Sequence, residues 1–133
     1  MIRLKQEHLK IIIHYSTRDY PIESCGVIAG QEGVSGEVYP IPNVDKSPVS
    51  YFMDIEEMFN VFRDMRRKNL SLIGFYHSHP YSEAYPSEKD VELAYYSEAI
   101  YLIISFIRGL SKPEIKAFHL LKEMVSEEEI QIL

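Results

Sequence analysis

The sequence predicts a mixed α/β fold in which a central sheet is covered by helices, and three observations carry that expectation. Helical periodicities over residues 5–19, 54–68 and 87–97 alternate with β-prone runs. The run IYLIISFI at residues 100–107 is apolar almost without interruption, as a strand buried on both faces requires. With 133 residues, 46% hydrophobic and 26% charged, the chain has ordinary globular composition. That length suffices for one core, so a single domain over residues 1–133 is expected.

In chain order, Leu9, Ile12, Ile13 and Ser16 recur at helical spacing up to Pro21 and define the first helix, residues 5–19. CGVIAG and GEVYPIPN, separated by the turn-rich QEGVSG, read as a hairpin. Residues 43–50 carry Pro48, Asp45 and two serines without either period, which predicts an exposed and mobile loop followed by a strand SYFM. Met58, Val61, Phe62 and Met65 share one face of a helix over residues 54–68, with Asp54 and Glu57 as its capping box. A strand then covers residues 70–79. Two prolines make residues 80–86 a loop. SEKD caps a helix over residues 87–97, the strand at 100–107 follows, RGLSKP turns the chain, and IKAFHLLK at 115–122 is a last strand before a glutamate triplet and IQIL. No repeat or linker marks a domain boundary.

Composition excludes several functions. A net charge of −6 without a basic stripe argues against nucleic acid and favours a basic or neutral partner surface. The single Cys25 rules out an intrachain disulfide framework and a cysteine-rich zinc site; it reads as a small buried hydrophobe and fits a reducing compartment. MIRLKQEHLK has no long apolar stretch, and the longest apolar run, residues 99–107, falls well short of a membrane span. A cytoplasmic protein that does not engage membranes is expected.

The chemistry gathers at LIGFYHSHP. His77 and His79 are two apart on a strand, so both imidazoles project from one face and can share a metal. Asp90 follows eleven residues later, where the proline-containing loop can return it to the strand's end. Two imidazoles and a carboxylate leave a fourth tetrahedral position for water, the arrangement of catalytic zinc, one ion per chain. Zinc brings the pKa of such a water to about 7, but a base must still move its protons, and Glu23 is the candidate. Each residue has an ordinary structural alternative: Ser87 with Asp90 as a capping box, a hydrogen-bonded core histidine, a surface glutamate. His8, His14 and His119 have no spaced partner and read as surface or core residues.

Taken together, Glu23, the run His77-Ser78-His79, seven residues, Ser87, two residues and Asp90 resemble the JAMM signature of the MPN+ metalloproteases at every fixed position. The likeness extends to ESCGVIAG, SYFMDIEEMF and HSHPYSEAYPSEKD, and with no long insertion after Asp90 the chain is similar to the compact prokaryotic form. The resemblance implies the MPN (JAB1/MPN, cytidine-deaminase-like) fold, with a mostly antiparallel or mixed sheet flanked by helices. It also implies a zinc peptidase, deubiquitinase-like, that hydrolyses isopeptide or peptide bonds at the C-terminus of ubiquitin-like or sulfur-carrier proteins ending in a Gly-Gly-type tail. Carried over, His77, His79 and Asp90 hold zinc, Glu23 is the general acid/base and Ser87 hydrogen-bonds the oxyanion. Residues 43–54 border the groove, where a substrate tail can add as a strand. Self-association into a homodimer stays open.

Three rivals are weighed against this. A cupin motif is offered by His77, His79 and Glu83, but cupins are all-β and two helical patterns stand here. An amidohydrolase barrel needs about 200 residues. A non-catalytic MPN scaffold would have lost a ligand, and none is lost.

Overall fold

The computed structural model describes residues 1–121 and 124–133. Its elements in order are β1 (Ile2–Leu4), α1 (Gln6–Asp19), β2 (Cys25–Gln31), β3 (Val34–Ile41), α2 (Ile55–Arg67), β4 (Ser71–His79), α3 (Glu88–Glu92), β5 (Ile100–Ser105), β6 (Glu114–Leu121), β7 (Met124–Glu128) and β8 (Ile130–Ile132). The expected strand IKAFHLLK is β6; its last residue, Lys122, lies outside the described residues.

One eight-stranded sheet runs β7-β6-β5-β4-β2-β3-β1-β8. The pairs β4/β5, β1/β3 and β1/β8 are parallel and the others antiparallel, so the sheet is mixed. Strands β7 and β8 stand at opposite edges although only Glu129 separates them. Two residue steps reach at most about 7 Å, so the sheet must curl until its edges nearly meet. The short strands β1, β7 and β8 are additions to the expected elements. They are three to five residues long, and what makes them strands is the partner beside them.

Both faces of the sheet are covered, as the apolar β5 predicts; all six of its residues are buried. On one face α1 packs Ile12 against Ile28, Val38, Tyr76 and Leu102. On the other, α2 and the segment around α3 set Val61, Met65 and Val91 against Val27, Phe75 and Ile103. Gly74 lets β5 approach β4: a Cβ there would lie 2.1 Å from the Ile100 carbonyl oxygen. The β2–β3 turn closes on Glu32 and Gly33, both at positive φ (54° and 76°), the backbone of a two-residue hairpin turn. Among the described residues no helix is long and apolar enough to cross a membrane.

Three expectations are corrected. Asp54 caps α2 by accepting the Glu57 N–H at 3.0 Å, but its own N–H goes to the Pro42 carbonyl at 3.1 Å, so the capping box is half formed. The helix expected over residues 87–97 is short: it ends at Glu92, with Leu93 as its C-cap. Beyond it Tyr95 and Tyr96 line a cleft and the Tyr96 N–H donates to the Tyr101 hydroxyl, contacts that a continued helix could not make. SYFM is not a strand; only a single bridge, Asn43 to Met53, forms there.

Candidate metal centre

Strand β4 pairs with β2 and β5 in a fixed register, Cys25 opposite His77 and His77 opposite Ile103. Phe75, His77 and His79 therefore face the α2 side while Tyr76 faces α1. Ser78, pointing away from the histidines, accepts the Ser24 N–H at 2.8 Å, and the Ser78 N–H donates to the Ser24 carbonyl at 2.9 Å. The backbone bond extends the β2–β4 pairing beyond Cys25, the hydroxyl bond secures it, and Glu23, two residues before Cys25, falls on the histidine face. The capping box at the start of α3 is complete: Ser87 Oγ accepts the Asp90 N–H at 3.0 Å and Asp90 Oδ2 accepts the Ser87 N–H at 2.9 Å.

These elements converge on one point. His77 Nε2 lies 3.1 Å from His79 Nε2 and 3.0 Å from Asp90 Oδ2, and His79 Nε2 lies 3.1 Å from the same oxygen. Both rings are buried. His79 Nδ1 faces the Glu83 carbonyl at 2.7 Å and so carries its proton there, which turns the Nε2 lone pair toward the centre. Lone pairs and a carboxylate oxygen crowded so closely repel one another unless something positive sits among them, so this donor set fits a divalent metal of the borderline kind. Glu83 contributes its carbonyl, and its side chain is not among the residues that could hold a metal. That, with helices on both faces, disposes of the cupin reading.

The electrostatics are those of a chemically active site. Burial pushes the Glu23 carboxyl up to about 8, with His79 pulling it back and Asp90 adding to the rise. One Glu23 oxygen is fully buried and finds no hydrogen-bond partner among the described residues. Burial lowers His77. Burial also opposes charge on His79, but hydrogen bonds to Asp90 and the Glu83 carbonyl raise it on balance. Asp90 is buried too, yet the facing imidazoles and the Ser87 N–H hold it far below the usual carboxylate range. Cys25 is buried and donates to the Ile41 carbonyl, and burial pushes its thiol up to about 12, the inert small residue expected. His8 is buried against Ser35, His14 stacks edge-on against Tyr15 and His119 pairs with Glu128; all three lie apart from the centre.

Two features escaped the sequence. Tyr51 stacks on the His77 ring, centroids 4.5 Å apart and planes at 26°. Asn43 organises the loop expected to be loose: its amide donates to the Glu23 and Ser50 carbonyls, and its Oδ1 accepts the Asp45 and Phe52 N–H groups, all at 3.0 Å. An Asn opening a turn two residues before Asp45 was the available signal for that hub. Beside Asp90 opens a cleft of about 210 Å³ lined by Tyr51, Phe52, Met58, Phe75, Tyr96 and Lys89, whose Nζ lies 3.8 Å from Asp45.

A mixed sheet presenting two histidines and a helix-borne carboxylate at one end defines a hydrolase of the JAMM type with a JAB1/MPN fold. Residues 5–121 match the model of the prokaryotic homologues of the JAB domain, and the chain belongs to that family. It is 33% identical over 132 residues to the CysO-cysteine peptidase of Mycobacterium tuberculosis, covering 98% of this chain and 90% of that one. It is 32% identical over 130 residues to the desampylase of Pyrococcus furiosus, covering 97% and 89%. The solution structure of protein DSY2949 from Desulfitobacterium hafniense superposes with a TM-score of 0.90 at 35% identity, over 100% of this chain and 93% of that one.

Proposed function

We propose that this chain is a zinc-dependent peptidase acting as one domain, residues 1–133, in the cytoplasm. Its substrates are peptide or isopeptide bonds that follow the C-terminal Gly-Gly-type tail of a ubiquitin-like or sulfur-carrier protein. The convergence of His77, His79 and Asp90 within 3.1 Å carries the reading. A relative that acts on a CysO-cysteine bond supports the substrate class.

His77 Nε2, His79 Nε2 and one Asp90 oxygen would hold the zinc. Bound there, zinc supplies Lewis acidity and brings the pKa of a water to about 7. Glu23 takes the proton from the attacking water and returns it to the leaving amine; burial raises its carboxyl in the metal-free site, and a cation held beside it would restore the carboxylate that the first half of that transfer needs. Ser87 spends a lone pair on the Asp90 N–H, which leaves its hydroxyl proton free to donate to the oxyanion that forms at the scissile carbonyl. The cleft beside Asp90 offers the tail apolar walls, and glycines next to the bond would let its backbone approach the buried centre.

Metal analysis tests the reading directly. Purified protein should carry about one zinc per chain, and a His77→Ala/His79→Ala double variant should carry none. Full zinc occupancy in that variant would overturn the ligand assignment.

A further inference from the structure

The two histidines are held by different means. His79 has a hydrogen-bond acceptor behind it, the Glu83 carbonyl 2.7 Å from Nδ1. His77 has none: its Nδ1 is fully buried and finds no hydrogen-bond partner among the described residues. A metal-binding imidazole is ordinarily oriented by the bond its second nitrogen makes, and loss of that bond weakens metal binding. Something else must fix the rotation of the His77 ring about its χ2, a torsion with a broad, shallow profile.

The face of Tyr51 lies on that ring, 4.5 Å away and 26° from parallel. Tyr51 is itself clamped on both sides. The Asn43 amide donates to the carbonyl of Ser50, just before it, and Asn43 Oδ1 accepts the N–H of Phe52, just after it. A further pair of backbone bonds, Val44 N–H to Phe52 and Asp54 N–H to Pro42, closes the same segment. The ring that touches His77 is therefore delivered by a braced stretch of backbone, and the brace also reaches the Glu23 carbonyl through Asn43.

From this geometry we propose that Tyr51 is a positioning residue for the metal centre. Its ring orients His77 by face-to-face contact, where His79 is oriented by a hydrogen bond. The inference rests on the zinc-site reading above. It requires an aromatic face and makes no use of the Tyr51 hydroxyl, which separates it from a hydrogen-bonding role.

The test is zinc affinity, measured with zinc alone by competition against a chromophoric chelator at fixed pH, on folded protein verified by circular dichroism and thermal unfolding. Tyr51→Phe should bind zinc within about twofold of the parent. Tyr51→Leu and Tyr51→Met, which keep an apolar wall without an aromatic face, should each bind about 10- to 100-fold more weakly, the range for losing an orienting partner of a metal ligand. Two such variants guard against one that fails to fold. Parent-like affinity in either folded aliphatic variant overturns the proposal, as does a loss in Tyr51→Phe equal to that in Tyr51→Leu. Absence of zinc binding by the parent protein would instead overturn the site reading itself.

Discussion

Replacing Glu23 with Gln in metal-free protein should change how stability depends on pH, with a sign and a ceiling that the structure sets. Burial raises this carboxyl from the ordinary 4.5 to about 8. A carboxyl raised in the folded state favours folding only while protonated. Its contribution is whole below the unfolded value of about 4.5 and is lost as pH climbs through about 8. At 1.36 kcal/mol per pH unit, that interval sets a ceiling of about 5 kcal/mol; water reaching the site and relaxation around it will lower the figure. Other groups titrate nearby. His79, raised, loses stability in the same direction, His77, lowered, gains it, and Asp90, depressed, acts only in acid. All three are present in both proteins, so subtracting one curve from the other leaves Glu23 together with its coupling to His79 and Asp90. The assay is urea unfolding of chelator-treated protein from pH 5 to 9. The parent should lose several kcal/mol relative to Glu23→Gln across that range, and restoring zinc should flatten the difference, because a cation beside Glu23 stabilises its carboxylate. Parallel curves for the two proteins throughout would refute the assignment of Glu23 as a buried carboxyl whose charge the fold opposes.

Further outcomes follow from the same geometry. Ser87→Ala should cost about 1 kcal/mol of stability through loss of the α3 cap and lower kcat about 100-fold through loss of the oxyanion donor, with KM little changed; steady-state kinetics beside thermal unfolding will separate the two effects. Gly74→Ala should destabilise by at least about 1 to 3 kcal/mol, since the new Cβ meets the Ile100 carbonyl oxygen at 2.1 Å and must push β5 away from β4; urea unfolding measures it. Asn43→Ala should speed amide exchange at Asp45 and Phe52, whose N–H groups bond to the lost Oδ1. Parent-like exchange at both amides would mean that the loop is held by other contacts.

How legible all this is in the sequence varies with the range of the interactions involved. The HxH pair can be read because strand periodicity alone puts both rings on one face, and α2 and β5 because their apolar patterns are long and regular. Asp90 and Ser87 can be read because their capping box is local. The length of α3 cannot, since Tyr95 and Tyr96 leave the helix for a cleft whose other walls come from Tyr51, Met58 and Phe75. Strands β1, β7 and β8 are too short to carry a period; β7 exists by folding back on β6, and β1 and β8 by pairing with each other across the length of the chain. The stacking of Tyr51 on His77, the Asn43 hub and the Glu83 carbonyl behind His79 all join segments distant in sequence or use backbone atoms. Residue type announces neither the stacking nor the Glu83 carbonyl, and of the Asn43 hub it announces only the turn.

The central claim is that this site hydrolyses the bond after a carrier tail, with Glu23 moving the proton. Zinc-loaded parent and Glu23→Gln proteins should be incubated with a sulfur-carrier protein whose chain continues one residue beyond its terminal Gly-Gly, and intact mass followed with time. The parent should remove that single residue, while Glu23→Gln retains its zinc and is slower by about 100-fold or more. An unchanged carrier mass after incubation with zinc-loaded parent, or equal rates from the two proteins, would contradict the claim.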